Sequence, residues 1–317
     1  MSTKKSMEIT KSHINSLPAI ELADDPGVME KFVELYNKIH GTKDGQMIAH
    51  KEVFNYRKLL ADNPGLRECE NLSLYGCLLD VAVNKLSLEG GKHPDCYLTP
   101  RSVNIGTRDA KQYVKRAVLN ISPYGELKMR INSGQIKYAD NPIVVYEGDT
   151  FKVGIDDKGK LVVKGYEAQV PRPKEAKIIA CFIRIERHDG SYEMPYLDQE
   201  AIERLKGYSA KQNGGTPNAL YTSNNGQIDT GFLKAKTIKH AFSSYPKVRT
   251  SDFSQLDPLD TAPGPIDYGM DMSGESGKQE TEDVTHEEVD DFSNALQAET
   301  IHISETVTVD EEEDLFN

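Results

Sequence analysis

The chain has only four cysteines, Cys69, Cys77, Cys96 and Cys181, and no two of them form a CxxC pair. That argues against a zinc framework or a disulfide scaffold and leaves reduced thiols as the simple reading. No apolar run approaches the length of a membrane span. Residues 1–11 are polar and lack the apolar stretch of a signal peptide. A soluble, intracellular protein with no membrane partner is expected. No GxSxG or HExxH signature occurs, and the many carboxylates are not grouped, so neither nucleophilic nor two-metal chemistry has a candidate centre. The apolar content of 38% is low for a chain packed throughout, so part of it is expected to remain outside any core.

Two runs imitate chemical motifs. Gly154-Ile155-Asp156-Asp157-Lys158-Gly159-Lys160 begins like a phosphate-binding loop, but Leu161 follows where Ser or Thr is needed for Mg²⁺,. The segment also reads as strand, turn, strand rather than strand into helix. His93-Pro94-Asp95-Cys96 gathers three metal-ligating types. One such cluster cannot complete a zinc site, and no second cluster has suitable spacing.

What is present is an uneven charge. The net charge is −12. Residues 252–317 hold 20 acidic residues and one basic residue, Lys278, and so carry −19. Residues 1–251 hold 37 basic and 30 acidic residues and carry +7. The body is basic and the tail strongly acidic. Within the body, Arg101, Arg108, Lys111, Lys115, Arg116, Lys128, Arg130 and Lys137 face only Asp109 and Glu126 along the chain before Asp140. Such a concentration points to a polyanion partner or to a lysine-rich solvated face.

The apolar pattern predicts an α+β fold: N-terminal helices, a central antiparallel sheet with packed helices, and a disordered acidic C-terminal tail. Residues 1–25 read as a flexible arm, 26–250 as the body and 251–317 as the tail. Val28, Met29, Phe32, Leu35, Tyr36 and Ile39 recur at helical spacing up to Gly41,. Further amphipathic segments run over residues 47–60 and 72–88, the last stopped by Gly90-Gly91. Short strands are expected at 96–98 and 117–121. Pro123-Tyr124-Gly125 reads as a break, followed by a short helix or strand through Leu127, Met129 and Ile131. Residues 143–146, 150–155 and 160–164 read as consecutive strands with a hairpin turn at 156–159. A buried strand at 178–186 and a return at 192–196 follow. A helix capped by Asp198 comes next, then a polar loop at 209–226 that is either functional or disordered, then a helix from about Thr230 to Ser244.

The order of landmarks adds a family. Asn63-Pro64-Gly65-Leu66, Leu86-Ser87-Leu88-Glu89, Tyr97-Leu98-Thr99-Pro100, residues 121–134, Val145-Tyr146-Glu147-Gly148-Asp149, Tyr208-Ser209-Ala210-Lys211 and Phe232-Leu233-Lys234-Ala235-Lys236-Thr237 succeed one another. Over roughly residues 45–248 this resembles the RecT family of phage and prophage single-strand annealing recombinases. Where that family usually has Ile-Gly-Tyr-Lys-Gly, this chain has Ile121-Ser122-Pro123-Tyr124-Gly125, and Asn132 stands where Arg is common. Lys128 and Arg130 are expected to take over the backbone contacts.

The resemblance implies a protein without covalent chemistry and without a required cofactor, Mg²⁺ acting at most as a modulator. It implies single-stranded DNA and nascent duplex as ligands and a homo-oligomeric ring or filament. It also implies a partner exonuclease and a host single-stranded DNA-binding protein as contacts in the bacterial cytoplasm. The DNA contacts expected on this basis are Arg101, Arg108, Lys111, Lys115, Arg116, Tyr124, Lys128, Arg130, Lys137, Lys206, Lys211, Lys234, Lys236 and Lys239. The helices over 28–60 serve either subunit contacts or the core. The tail competes with DNA, recruits a partner or merely solubilises. Two other classes remain: a DNA-binding scaffold or adaptor without annealing activity, and a metal-dependent nuclease.

Overall fold

The computed structural model describes residues 9–248 except 108–109, 156–158 and 160. The acidic tail and most of the 156–159 turn therefore lie outside the described residues.

The chain enters through a short helix, α1 (Lys11–Ser16), capped by the Thr10 hydroxyl, and a 3-10 turn, Ala19–Asp24. The expected flexible arm is corrected here for residues 9–25. Ile9, Ile14, Leu22 and Ala23 are buried. The Asn71 side-chain amide donates to the carbonyls of Ile14 (3.0 Å) and Leu17 (2.6 Å), and the Tyr56 hydroxyl donates to Ala19 O at 2.7 Å. A few apolar residues among polar ones have no visible period, yet they cover the α-helical core and have their carbonyls satisfied.

Helix α2 (Pro26–His40) begins with Pro26 in its first turn and Asp25 accepting from the amides of Gly27 and Val28. It ends at Gly41, whose φ of 60° suits a left-handed cap,. Helix α3 (Gly45–Asp62) and the one-turn α4 (Pro64–Arg67) follow. Helix α5 (Asn71–Asn84) is buried along its whole length. The sequence carries this helix to residue 88, but it stops at Asn84 with Lys85 left-handed (φ 56°) and Leu86 N donating back to Val81 O. The chain then runs extended, and buried Glu52 of α3 accepts from Ser87 Oγ and Leu88 N, both at 2.7 Å. A fully bonded carboxylate can be buried in this way without an unpaid desolvation cost.

Strands β1 (Cys96–Asn104) and β2 (Tyr113–Ile121) form one long antiparallel hairpin, in register from Cys96↔Ile121 to Asn104↔Tyr113. The near half rests on α5 through Leu98, Ala117 and Leu119. Beyond Pro100 and Ala117 one face (Arg101, Val103, Val114, Arg116) is half-buried and the other (Ser102, Asn104, Tyr113, Lys115) is exposed. Both strands are longer than expected, because the distal residues are held by main-chain pairing and carry no apolar alternation to announce them.

Helix α6 (Pro123–Asn132) replaces the expected break at 123–125. Ser122 is its N-cap, accepting from Gly125 N at 2.9 Å, and Pro123 is in its first turn. Among the described residues eight short strands follow the hairpin: β3 (Tyr138–Ala139), β4 (Ile143–Tyr146), β5 (Thr150–Ile155), β6 (Leu161–Glu167), β7 (Ile178–Phe182), β8 (Ile185–Glu186), β9 (Tyr192–Glu193) and β10 (Tyr196–Asp198). The architecture is helices plus antiparallel sheet, as read, but the described strands divide among four small sheets: β1-β2, β10-β7-β4, β3-β8-β9 and β5-β6. The expected single strand over 178–186 is split, β7 and β8 belonging to different sheets. Helix α7 (Gln199–Gln212) is capped by Asp198, and α8 (Thr230–Phe242) by Asp229. The polar loop between them is built: Asn218 N donates to Ser209 Oγ, Tyr221 is buried, and Asp229 N donates to Leu220 O. Helix α8 packs Phe232, Leu233 and Ala235 with residues of β4, β7 and β10, and Ile238, Ala241 and Phe242 with Ile136, Ile183 and Ile185. No helix among the described residues is long and apolar enough to cross a membrane.

Candidate nucleic-acid interface

A cation serves a phosphate best when folding has not already given it an anion. The fold sorts the expected contacts on that criterion.

On the β1–β2 hairpin, Arg101 and Arg116 stand directly opposite each other in register. Like charges so placed repel, and Glu70 relieves this pair by accepting from Arg116 Nε at 2.8 Å. Lys115 is exposed and paired with Glu68, and its positive charge holds the Glu68 carboxyl below the ordinary range through their hydrogen bond. Lys111, near the tip, is exposed and makes no ion pair among the described residues. Arg108 lies outside the described residues. Tyr113 is largely exposed beside these cations.

Where the loop at 92–95 meets α6 and α8, a second group assembles. Lys128 pairs with Asp95. Tyr124 is half-buried, its ring centroid 4.1 Å from that of exposed His93. Burial pushes the Tyr124 hydroxyl up. Partial desolvation, then the charges of Lys92 and Lys234, hold His93 below its ordinary 6.5. The lysines of α8 therefore do not act alike: Lys234 lies near this group, whereas Lys236 points inward.

Two expected contacts are corrected. Arg130 is 3% exposed and sits inside the fold. It is bonded to Glu126 (2.5 Å), Gln135 (2.7 Å) and Pro246 O (3.1 Å), with its guanidinium carbon 4.6 Å from the Phe242 ring centroid and 5.2 Å from that of Tyr245. Lys236 is 4% exposed, with Nζ 4.8 Å from the Phe232 ring centroid. Both are engaged by the core and are not presented to a ligand. The remaining contacts are dispersed. Lys137 pairs with Glu186 at 2.6 Å, Lys206 lies 3.6 Å from Glu203, exposed Lys211 stands over the Tyr208 ring, and Lys239 is half-buried on α8.

The sequence reading considered His93 only as a possible metal ligand, and it passed over Lys92 and exposed Lys152 and Lys164 on the hairpin of β5 and β6. An exposed lysine on each of two strands joined by a tight turn was the available signal for the latter pair. The His93-Pro94-Asp95-Cys96 run is not a metal cluster: Asp95 turns to Lys128, Cys96 Sγ donates to Ser87 O, and His93 lies on Tyr124. Among the described residues no three metal-ligating side chains come together.

Compared with known proteins, the chain matches the model of the RecT family over residues 54–227, more than half of its 317 residues. The match runs from the middle of α3 to the loop before α8. No curated protein matches the chain.

Proposed function

The chain belongs to the RecT family, and from that premise we propose that it binds single-stranded DNA and anneals complementary strands without nucleotide, in phage-type homologous recombination. The family match is the observation that carries this reading, and exposed Lys111 near the tip of the β1–β2 hairpin, which makes no ion pair among the described residues, supports it. Annealing needs no covalent step. Cations neutralise the phosphates of one extended strand, leave the base edges open, and let a second strand test them; base pairing supplies the driving force. Protomers assemble into a ring or filament so that the basic surfaces of neighbours track one strand. Mg²⁺ acts at most as a modulator. The partners are a second DNA strand, an exonuclease that exposes single strands, and a host single-stranded DNA-binding protein, in the cytoplasm of a bacterial host. The acidic residues 252–317 limit non-specific binding by competing for the basic surface.

The test is annealing of two complementary labelled oligonucleotides without nucleotide, across a salt series, for the full chain and for residues 1–251. Pairing faster than spontaneous, and weakening as salt rises, is expected, with a gain on truncation. No acceleration at concentrations where DNA is bound would leave a DNA-binding scaffold. Degradation of the strands on adding Mg²⁺ or Mn²⁺ would leave a nuclease.

A further inference from the structure

The loop that carries His93 is fixed from below. Ser122 Oγ donates to Pro94 O, Ser122 N donates to Asp95 O, and Lys128 holds the Asp95 carboxylate. Gly125 comes so close that a Cβ there would stand 1.9 Å from Asp95 O. Loop and first turn of α6 thus form one rigid block. Tyr124 is packed into the cluster of Ile136, Ile183 and Phe242. His93 lies over it with the two rings tilted by 41° and is exposed to solvent. Lys92 is exposed and Lys234 half-buried, and neither has an ion pair among the described residues. The loop, α6 and α8 therefore converge on an exposed aromatic ring, supported by a second ring and flanked by two cations that have no ion pair among the described residues.

We propose that the His93–Tyr124 pair is a stacking platform for one base of a single DNA strand, with Lys92 and Lys234 taking the adjacent phosphates. This rests on the DNA-binding reading above and adds a specific subsite to it. Every base has a π-face, so such a platform tolerates any sequence. A base held by its face keeps its Watson–Crick edge free for a second strand. A base inside a duplex has no free face, so the platform distinguishes single from double strands where phosphate contacts alone do not. The charges facing the imidazole are Lys92 of its own loop and Lys234 of α8, while Asp95, two residues on, is engaged by Lys128. Partial desolvation, and then these two cations, disfavour protonation of His93 and so favour an uncharged ring.

The test is binding of the full chain, by fluorescence anisotropy at one salt concentration, to labelled oligo-dT and to an abasic sugar-phosphate strand of equal length. The wild-type chain is expected to prefer oligo-dT. His93→Ala is expected to weaken oligo-dT binding about fivefold or more, to leave the abasic strand and the salt slope unchanged, and to melt like wild type, since the side chain is exposed. His93→Phe restores the preference. Lys92→Glu with Lys234→Glu weakens both strands. Equal wild-type affinity for the two strands, or a preference that His93→Ala retains, overturns the platform while leaving DNA binding intact. Failure of the wild type to bind either strand overturns the DNA-binding reading and the platform with it.

Discussion

Replacing Arg130 with alanine separates a structural arginine from a DNA contact. The side chain is 4% exposed and Glu126, its ion-pair partner at 2.5 Å, is 27% exposed. Truncation removes the bonds to Glu126, Gln135 and Pro246 O and the two aromatic contacts. Hydrogen bonds to a charged group contribute about 1.5–3 kcal/mol each, and a desolvated cation–π contact about 2 kcal/mol. These do not add, because one side chain makes them all. Breaking a buried pair from one side costs about 3–5 kcal/mol, and about 4 kcal/mol is the expected loss. For a body of this size that corresponds to about 8–16 °C in Tm. The assay is thermal and urea unfolding of the full chain, with oligonucleotide binding measured well below the transition. The expected result is a large loss of stability with near wild-type affinity in the fraction that remains folded. An unchanged melting curve with DNA affinity lost would refute the argument and return Arg130 to the DNA interface.

Four further outcomes follow from the same geometry. Leu22→Ala, in the docked N-terminal segment, removes a side chain that is 0% exposed and should cost about 2–5 kcal/mol; an unchanged urea midpoint would mean that residues 9–25 are not part of the core. Asp149 accepts from the amides of Tyr146 (2.9 Å) and Gln169 (2.8 Å) and from Arg172 (3.0 and 3.1 Å). Burial acts to raise its carboxyl, but these donors outweigh it and leave it below its ordinary 3.8. A depressed folded value gives stability that is complete above 3.8 and is lost as pH falls through the lower folded value, so urea midpoints between pH 7 and pH 3 should show an acid loss that Asp149→Asn reduces. Gly125→Ala forces a Cβ against the Asp95 carbonyl and should lower the Tm far more than Gly207→Ala, whose Cβ meets nothing within 4 Å; similar melting of the two variants would mean the approach is looser than described. A phosphate beside His93 favours its protonated form, so oligo-dT affinity should rise as pH falls from 7.5 towards 6, and His93→Phe should flatten that rise.

Helices α2 and α8 were legible because their apolar residues recur at helical spacing between strong caps. The β5–β6 hairpin was legible because alternation flanks Asp156-Asp157-Lys158-Gly159. Pro123-Tyr124-Gly125 misled because proline and glycine are the strongest chain breakers in sequence. Here Ser122-Pro123 is a helix start, and Gly125 is required by the Asp95 carbonyl, 30 residues away along the chain. The docked N-terminal segment could not be read because its apolar residues follow no period; what orders them is a groove made by α3 and α5. The far half of the β1–β2 hairpin half-buries one face, and that face carries Arg101 and Arg116 beside Val103 and Val114, so no apolar alternation announces it.

The site shows the limit of counting charge along a chain. Eight bases against two acids over residues 101–137 is true in one dimension. In space, Glu68, Glu70, Asp95 and Glu186 come in from elsewhere to Lys115, Arg116, Lys128 and Lys137, and Arg130 and Lys236 withdraw onto aromatic rings. None of those partners is visible from the cation's own neighbourhood. A phosphate arriving at Lys115 must displace Glu68 and leave that anion beside it, so the exchange gains little. A phosphate arriving at Lys92, Lys111 or Lys234 displaces no acid among the described residues. Each such cation should therefore contribute its full share, about 0.7, to the salt slope on a single strand, whereas removing Lys115 should change the slope by less. The ratio of those two changes measures how far folding, rather than composition, decides which lysines meet DNA.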